Sequence, residues 1–519
     1  MTRVKRKYLV RRLVASAVVA ALLGFGLTRA FAGGSDPAPP DRAAAFVPGG
    51  ALVYLNLDTS RGSAQWRHTS SAIAKLPLAG QLRDALLLAA TSGTLGKLTL
   101  ERDITPWLGD EAAYAQLPGQ GGSLLVLAVR NQREALRSLE SAGGAATPTA
   151  YRGAPLRQVG DGSVAALSGG FALIGAPAAV RGALDAHATP TASLRANTTY
   201  EELVGGLPKE RVGNAWFSPQ WLSAHFAGPA AILAGAARVP ALQAAALGFG
   251  DDGKLMRFTF RGRAAPGAAG TAGCTGGAGD SGDGLTSQAP AEPAVFVGLA
   301  GAECILRDLM ASPTSAIGRA LSSFSASAQS MGVNVDRDVL PLFGGDSAVS
   351  LTPGPTITLE AGHVRPQQAL NTVGGLVPVL VKMLDPERGG ATPNYSALRV
   401  NGVSALSASL TPALQLTYAA FGGNLVVSNS ANAIGSPKKA QHLDQTKDFT
   451  TVLGTRPKSP SALVFLDLKK LLALADQAGL GSNPTYAAVR DDLGKIGAAG
   501  AVLSREGNDI DAELRLKNP

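Results

Sequence analysis

The sequence predicts an α+β protein: two tandem related domains with mainly antiparallel sheets and packed helices, preceded by an N-terminal apolar helix. Three observations carry that prediction. Short apolar runs with period two are bounded by turn residues, the pattern of half-buried strands. Each half of the chain closes on a polar hairpin turn, Leu247–Gly253 entering Leu255–Phe260 and Ala501–Gly507 entering Ile510–Leu516. A set of features also recurs in the same order about 240 residues later, a period of domain size rather than of a solenoid or propeller. Strand–helix pairs alternate in places, so a doubly wound parallel sheet is the second choice. The closing hairpins are antiparallel by construction and rank it second.

Met1–Arg12 is a basic cytoplasmic segment, and Leu13–Leu27 is an apolar run interrupted by Ser16 and two glycines. Positive charge stays on the cytoplasmic side, so the remainder is expected outside. Residues 13–32 read either as a signal peptide cleaved at Ala30-Phe31-Ala32 or as a signal-anchor continuing to Ala32 with Arg29 snorkelling outward. Residues 33–45, with Pro37, Pro39 and Pro40, read as a tether. The first repeat domain is placed at 46–263 and the second at 291–519, with a Gly-rich linker at 264–290.

The first domain opens on Ala51–Leu57, echoed by Pro293–Leu299. Helical stretches follow at Ser70–Ala90 and Ile305–Phe324, each broken near its start by a proline, Pro77 and Pro313. Then come Ser123–Val129 with a helix from Gln132 to Ser141, and Thr356–Glu360 with a helix starting near Pro366. Gly169-Gly170 and Gly422-Gly423 each sit between two strands, where positive φ is needed. Ala215-Trp216-Phe217 and Ala462–Leu466 precede the closing hairpins.

Between the opening strand and its partner lies the motif around which both halves are organised. It reads Asp103-Ile-Thr-Pro106-Trp107-Leu-Gly109-Asp110, and returns as Asp338-Val-Leu-Pro341-Leu-Phe-Gly344-Gly345-Asp346. Asp103 and Asp110 with Glu111 invite a Ca²⁺ reading, but hard cations want several oxygens from a dense loop. Turn chemistry fits better: Asp caps, Pro106 fixes the turn, Trp107 packs inward and Gly109 relieves the backbone. The second copy keeps the turn residues and loses the aromatic, which points to scaffold.

Charge excludes a polyanion partner. The chain carries +9, but seven of its 47 basic residues precede Gly33, leaving 40 basic against 38 acidic residues in the body. The basicity is a targeting feature, and no nucleic-acid partner is expected. Charged residues are 16% of the chain, below the usual ~25%.

Chemistry-bearing motifs are sparse. His68, His187, His225, His363 and His442 are scattered singly, without HExxH or paired-Cys spacing. Gly279-Asp280-Ser281-Gly282 imitates a protease nucleophile loop, but within the linker, where no rigid base or oxyanion hole is expected. Gly93–Lys97 has the wrong spacing for a phosphate loop. No metal, cofactor or catalytic residue is therefore assigned. Cys274 and Cys304 are the only cysteines, and outside the cytoplasm they are candidates for a disulfide.

The basic apolar N-terminus, the Val-Pro-x-x-Ala-Leu-Val-Tyr-Leu opening strand, Trp66, Pro-Trp-Leu-Gly-Asp, Tyr151-Arg152-Gly153 and the Gly-Gly turn form an ordered set. This set resembles the bacterial family catalogued as domain of unknown function 3352. The resemblance covers nearly all of the chain after Phe46 and is closer in the first half. It implies a retained membrane anchor and an envelope location, and it carries over no catalytic residues. The second half departs from it where Leu342 replaces Trp107 and Gly345 is extra.

The expected function is an exported, membrane-anchored, non-enzymatic binding or structural module of the cell envelope, touching the membrane through its N-terminal segment. Two other readings stay open. One is a carrier or chaperone for an apolar, lipid-like ligand held between the halves, with Ala230–Leu247 and Leu370–Leu384 as groove-lining helices. The other is an unrecognised hydrolase.

Overall fold

The computed structural model describes residues 41–60, 98–143, 147–160, 162–225, 242–251, 255–264, 283–311, 316–384, 393–435, 441–457 and 459–517. The expected N-terminal helix, the 70–90 helix, His68, the Gly93 and Gly279 loops and Cys274 lie outside the described residues. Among the described residues no helix is long and apolar enough to cross a membrane. The chain is α+β with antiparallel strand pairing, and it divides into two compact units. The first holds the described residues to His225 together with Leu242–Arg263; the second holds those from Ala264 onward.

In the first unit the strands are β1 (Val53–Asp58), β2 (Leu108–Gln116), β3 (Ser123–Val129), β4 (Thr149–Tyr151), β5 (Ala154–Gly160), β6 (Ser163–Ser168), β7 (Phe171–Gly175), β8 (Gly213–Phe217), β9 (Leu242–Asp251) and β10 (Leu255–Ala264). Their spatial order is β4-β5-β6-β7-β3-β2-β1-β8-β9-β10. Strand β1 is central, pairing with β2 and β8, and all six of its residues are buried. Burial without alternation means that both faces of the sheet are covered. One face packs Tyr54, Val126, Leu173 and Trp216 under Phe46 and Val180. The other packs Leu55, Leu125 and Ile174 under Ile104, Trp107 and Leu139.

Among the described residues this unit has the helices α1 (Gln132–Gly143), α2 (Pro177–Ala188), α3 (Thr198–Gly205) and α4 (Pro219–His225). Helix α2 begins with proline, whose missing N–H costs nothing in the first turn. Helix α3 is capped by Asn197, whose side chain accepts the Tyr200 N–H at 3.1 Å.

The second unit contains β11 (Val295–Ala300), β12 (Asp346–Thr352), β13 (Thr356–Ala361), β14 (Tyr395–Val400), β15 (Val403–Thr411), β16 (Leu414–Phe421), β17 (Asn424–Ser428), β18 (Ala462–Asp467), β19 (Ala498–Glu506) and β20 (Asp509–Lys517). Their order is β14-β15-β16-β17-β13-β12-β11-β18-β19-β20. This is the order of the first unit, strand for strand. The helices are α5 (Ala302–Met310), α6 (Ala316–Ser330), α7 (Pro366–Leu384), α8 (Lys447–Leu453), α9 (Leu468–Gln477) and α10 (Pro484–Leu493). Helix α7 buries Ala369, Val373, Val377 and Val381, a stripe at four-residue spacing that packs on Ala361, Tyr418 and Leu425.

Three expectations need correction. Residues 41–45 are not tether: Ala43 and Ala44 are buried in a 3-10 turn, Ala43–Phe46, that seals the first core. The end of the linker is not loose either. Leu285, Thr286 and Ala289 are buried, and Pro290 bridges to His442. Residues 242–247 form the start of β9 and are not helix. Ala244 and Ala246 alternate inward into the core, so tertiary pairing overrides alanine's helix preference.

Two local expectations match the structure. Helices α5 and α6 flank residues 312–315, around the proline expected to break them. The glycine pairs have φ of +53° and +83° at Gly169-Gly170, and +57° and +81° at Gly422-Gly423.

Candidate functional site

An apolar hollow lies in the second unit, between the sheet and its helices. The floor is one face of three strands: Val297 and Leu299 on β11, Val349 on β12, and Leu359 on β13. On β11 the alternate residue Phe296 is fully buried on the opposite face, whereas Val297 and Leu299 are only half-buried on this one. The roof comes from Ile305, Leu306 and Met310 of α5, Leu321 and Phe324 of α6, Leu376 of α7, and the turn from Val335 to Phe343. The hollow is half-open, and its volume is about 370 Å³, within the ~300–1,000 Å³ of small-molecule sites.

Ser347 supplies the one polar side chain of the lining, and its Oγ is buried without a hydrogen-bond partner among the described residues. No charged or titratable group lines the cavity. Such a lining suits an apolar group. One of the two expected groove-lining helices contributes, through Leu376. The other stretch is strand from Leu242 onward, and its remainder lies outside the described residues.

The repeated Asp motif builds something different. Leu100–Ile104 and Val335–Val339 are both π-helical turns. In the first, the Asp103 carboxylate accepts the Thr99 N–H at 2.7 Å and the Arg102 Nε–H at 2.9 Å. The Arg102 bond, first, and the Thr99 donors bring the Asp103 carboxyl down to about 2. In the second, Asp338 accepts the Asn334 N–H at 3.0 Å and the Arg337 Nε–H at 2.8 Å. Trp107 is fully buried and donates its indole N–H to the Asp103 carbonyl, while Arg130 donates to the Pro106 carbonyl at 2.9 Å. In the second unit Leu342 takes the inward place, at 7% exposure. Pro341 lies within a 3-10 turn, Leu340–Phe343, and a Cβ on Gly344 would come within 3.2 Å of the Glu303 carboxylate.

Strand register changes how the two copies align. Glu111 lies opposite Asp58 on β1, and Asp346 lies opposite Ala300 on β11. Counting from the central strand, Asp346 occupies the place of Glu111, because Gly345 takes up the position that Asp110 fills in the first copy. Asp110 and Asp103 do not converge on one point: Asp103 binds Arg102, and Asp110 binds Arg42. Among the described residues no cluster of His, Cys, Asp or Glu is arranged to hold a metal ion.

Sequence reading weighed Glu111 only as a cation ligand beside Asp103 and Asp110, and gave it no part in the core. Fully buried, it accepts the Ala43 N–H at 2.7 Å and the Arg42 Nε–H at 3.1 Å. Burial pushes its carboxyl up to about 7, against the opposing pull of these donors. Beside it Asp41 accepts from the hydroxyls of Tyr54 and Tyr200 and from Asn214 at 3.3 Å. Burial, and then the Asp41 charge, raise both tyrosines well above their usual range.

The second unit has a counterpart, in which Asp283 pairs with Arg456 at 2.7 Å. Asp41 with Pro48, and Asp283 with Pro290, share one spacing, and each proline makes an isolated bridge, to Ser193 and His442 respectively. That spacing was the available sequence signal.

A second hollow of about 430 Å³ in the first unit is lined by Gly109, Asp110, Arg42, Arg130 and Phe171. Its cations already have partners, Arg42 on Asp110 and Glu111, and Arg130 on the Pro106 carbonyl. Cys304 is 7% exposed and disulfide-bonded, and Cys274 lies outside the described residues.

Comparison with known proteins is sparse. No curated protein matches the chain. Crystal form I of TP0453 is similar at 11% identity and a TM-score of 0.26, covering 46% of this chain and 81% of that one. Crystal form III gives the same identity and TM-score, covering 44% and 80%. The family profile described as "Protein of unknown function (DUF3352)" matches residues 13–516. The chain therefore belongs to the DUF3352 family.

Proposed function

We propose that the protein is an exported, membrane-anchored, non-enzymatic binding module of the cell envelope whose second unit carries an apolar, lipid-like ligand. The observation that carries this reading is the cavity of about 370 Å³ lined by apolar side chains and a single serine. A half-open apolar hollow of this size is large enough to seat an apolar group. Its volume suits one apolar chain or small ring system rather than a whole two-chain lipid. The lack of titratable lining is what favours carriage over hydrolysis. The basic, apolar first 32 residues support export, and family membership favours retention of the anchor.

In the same reading the two units arose by tandem duplication. Identical strand order, the Gly-Gly turns, the paired π-turns and the paired Asp-to-Pro segments support it. The copies then diverged: the first closed its core around Trp107, and the second kept a cavity.

The test uses the full chain in its own membranes, with a fatty acid carrying a diazirine in its acyl chain. After irradiation, labelled peptides are mapped by mass spectrometry. Adducts on β11–β13 and α5–α7 are expected, and filling the cavity with Leu306→Trp should remove them. Adducts confined to residues 13–32 would overturn the proposal.

A further inference from the structure

The floor of the apolar cavity does not stop at its wall. On β13 the inward row continues from Leu359 to Ile357, and on β12 from Val349 to Leu351, because alternate strand residues share a face. On β13 the side chains become exposed outward along this row, from half-buried Leu359 to Ile357 at 54%; on β12 Val349, still part of the lining, is 43% exposed and Leu351 is half-buried. The two strands meet in the turn Pro353-Gly354-Pro355, which is exposed, and Gly354 has φ +87°. From Ser347 to Leu359 the hairpin carries no charged side chain. An exposed, uncharged strand pair with bare apolar side chains is avoided on surfaces that meet only water, where edges and tips are normally guarded by charge.

From this geometry we infer that the β12–β13 hairpin is a lipid-bilayer contact: it dips into the membrane interface and joins the cavity to the acyl region. The inference rests on the apolar-ligand reading above. A bilayer is the occupant that fits, for two reasons. The row is continuous with a cavity built for an apolar chain, so a ligand moving along it never crosses a charged or strongly hydrated side chain. The stretch also has no charge to desolvate, and desolvating charge is the main cost of entering the interface. Both prolines lack an N–H, so the tip carries fewer backbone donors into the apolar layer. The inward carboxylate of Glu360 lies on the opposite face of β13, buried and away from the row.

The experiment places the full chain in phosphatidylcholine vesicles with Ile357→Trp. Native tryptophans all precede residue 222, so the added signal is read as the difference from wild type. Lipids brominated on the acyl chain should quench the added fluorescence, and lack of quenching would overturn the inference. Ile357 does not line the cavity, so Ile357→Asp should still be labelled there by the diazirine fatty acid delivered from detergent micelles. Delivered from vesicles, the same probe should label that variant several-fold more slowly than wild type. Equal rates from vesicles would overturn the inference while leaving carriage intact. Absence of cavity labelling from either source would instead overturn carriage, and the quenching measurement would still decide the membrane contact.

Discussion

Glu111 makes the stability of the first unit depend on pH in an unusual direction. Its carboxyl titrates near 7 in the folded unit against 4.5 ordinarily, mainly because burial penalises the charged form. An acid whose folded pKa is raised holds its proton more tightly when folded. Its contribution is therefore most favourable below about 4.5 and is lost as pH rises through about 7. At ~1.36 kcal/mol per pH unit, the gap amounts to about 3 kcal/mol between mildly acid and mildly alkaline solution.

Glu111→Gln keeps the shape and cannot titrate, so this part of the pH dependence should vanish. An offset at all pH values is also expected, because the glutamine amide can face the Arg42 Nε–H, and the comparison must be of slopes. The chain reports on this unit cleanly: Trp66, Trp107, Trp216 and Trp221 are its only tryptophans, and the second unit has none. Urea unfolding of the full chain in detergent, followed by tryptophan fluorescence from pH 5 to 8, measures the slope for wild type and variant. Identical slopes would refute the reasoning.

Two further outcomes follow from the motif and the cysteines. A Cβ on Gly109 would sit 3.0 Å from the Ala128 Cβ and 3.2 Å from its carbonyl carbon, so Gly109→Ala should destabilise the first unit by ~1–3 kcal/mol in the same urea assay. Unchanged melting would mean that the strands part at no cost. Cys304 is disulfide-bonded, and Cys274 is the only other cysteine, so neither should alkylate without reductant. Reduction should cost the second unit ~2–4 kcal/mol, and equal alkylation with and without reductant would remove the bridge.

How far the sequence could be read depended on whether the signal was local. Val53–Asp58 and Val295–Ala300 announce themselves by β-rich composition, the hairpins by their turn residues, and α7 by its four-residue stripe. Asp41 could not be found that way, because its partners Tyr54, Tyr200 and Asn214 are 13, 159 and 173 residues distant. Residues 43–46 and 283–290 were too short and too rich in small residues to show a period. The Ala-rich start of β9 misled because alanine carries helix propensity wherever it stands, and only pairing with β8 decides the matter. The cavity was legible only as apolar material. Nothing in the spacing of Val297, Leu359 or Phe324 distinguishes lining an open space from filling it.

The clasp on Asp41 has a mechanical consequence for an anchored protein. On the anchored reading proposed above, with the anchor ending at Ala32, only residues 33–40 separate the bilayer from a side chain fixed in the first unit. At most ~3.3–3.6 Å of chain per residue makes that leash about 30 Å when pulled straight. On that reading the first unit stays within a thin shell above the membrane that holds the anchor, and cargo destined for a more distant surface would have to be handed on.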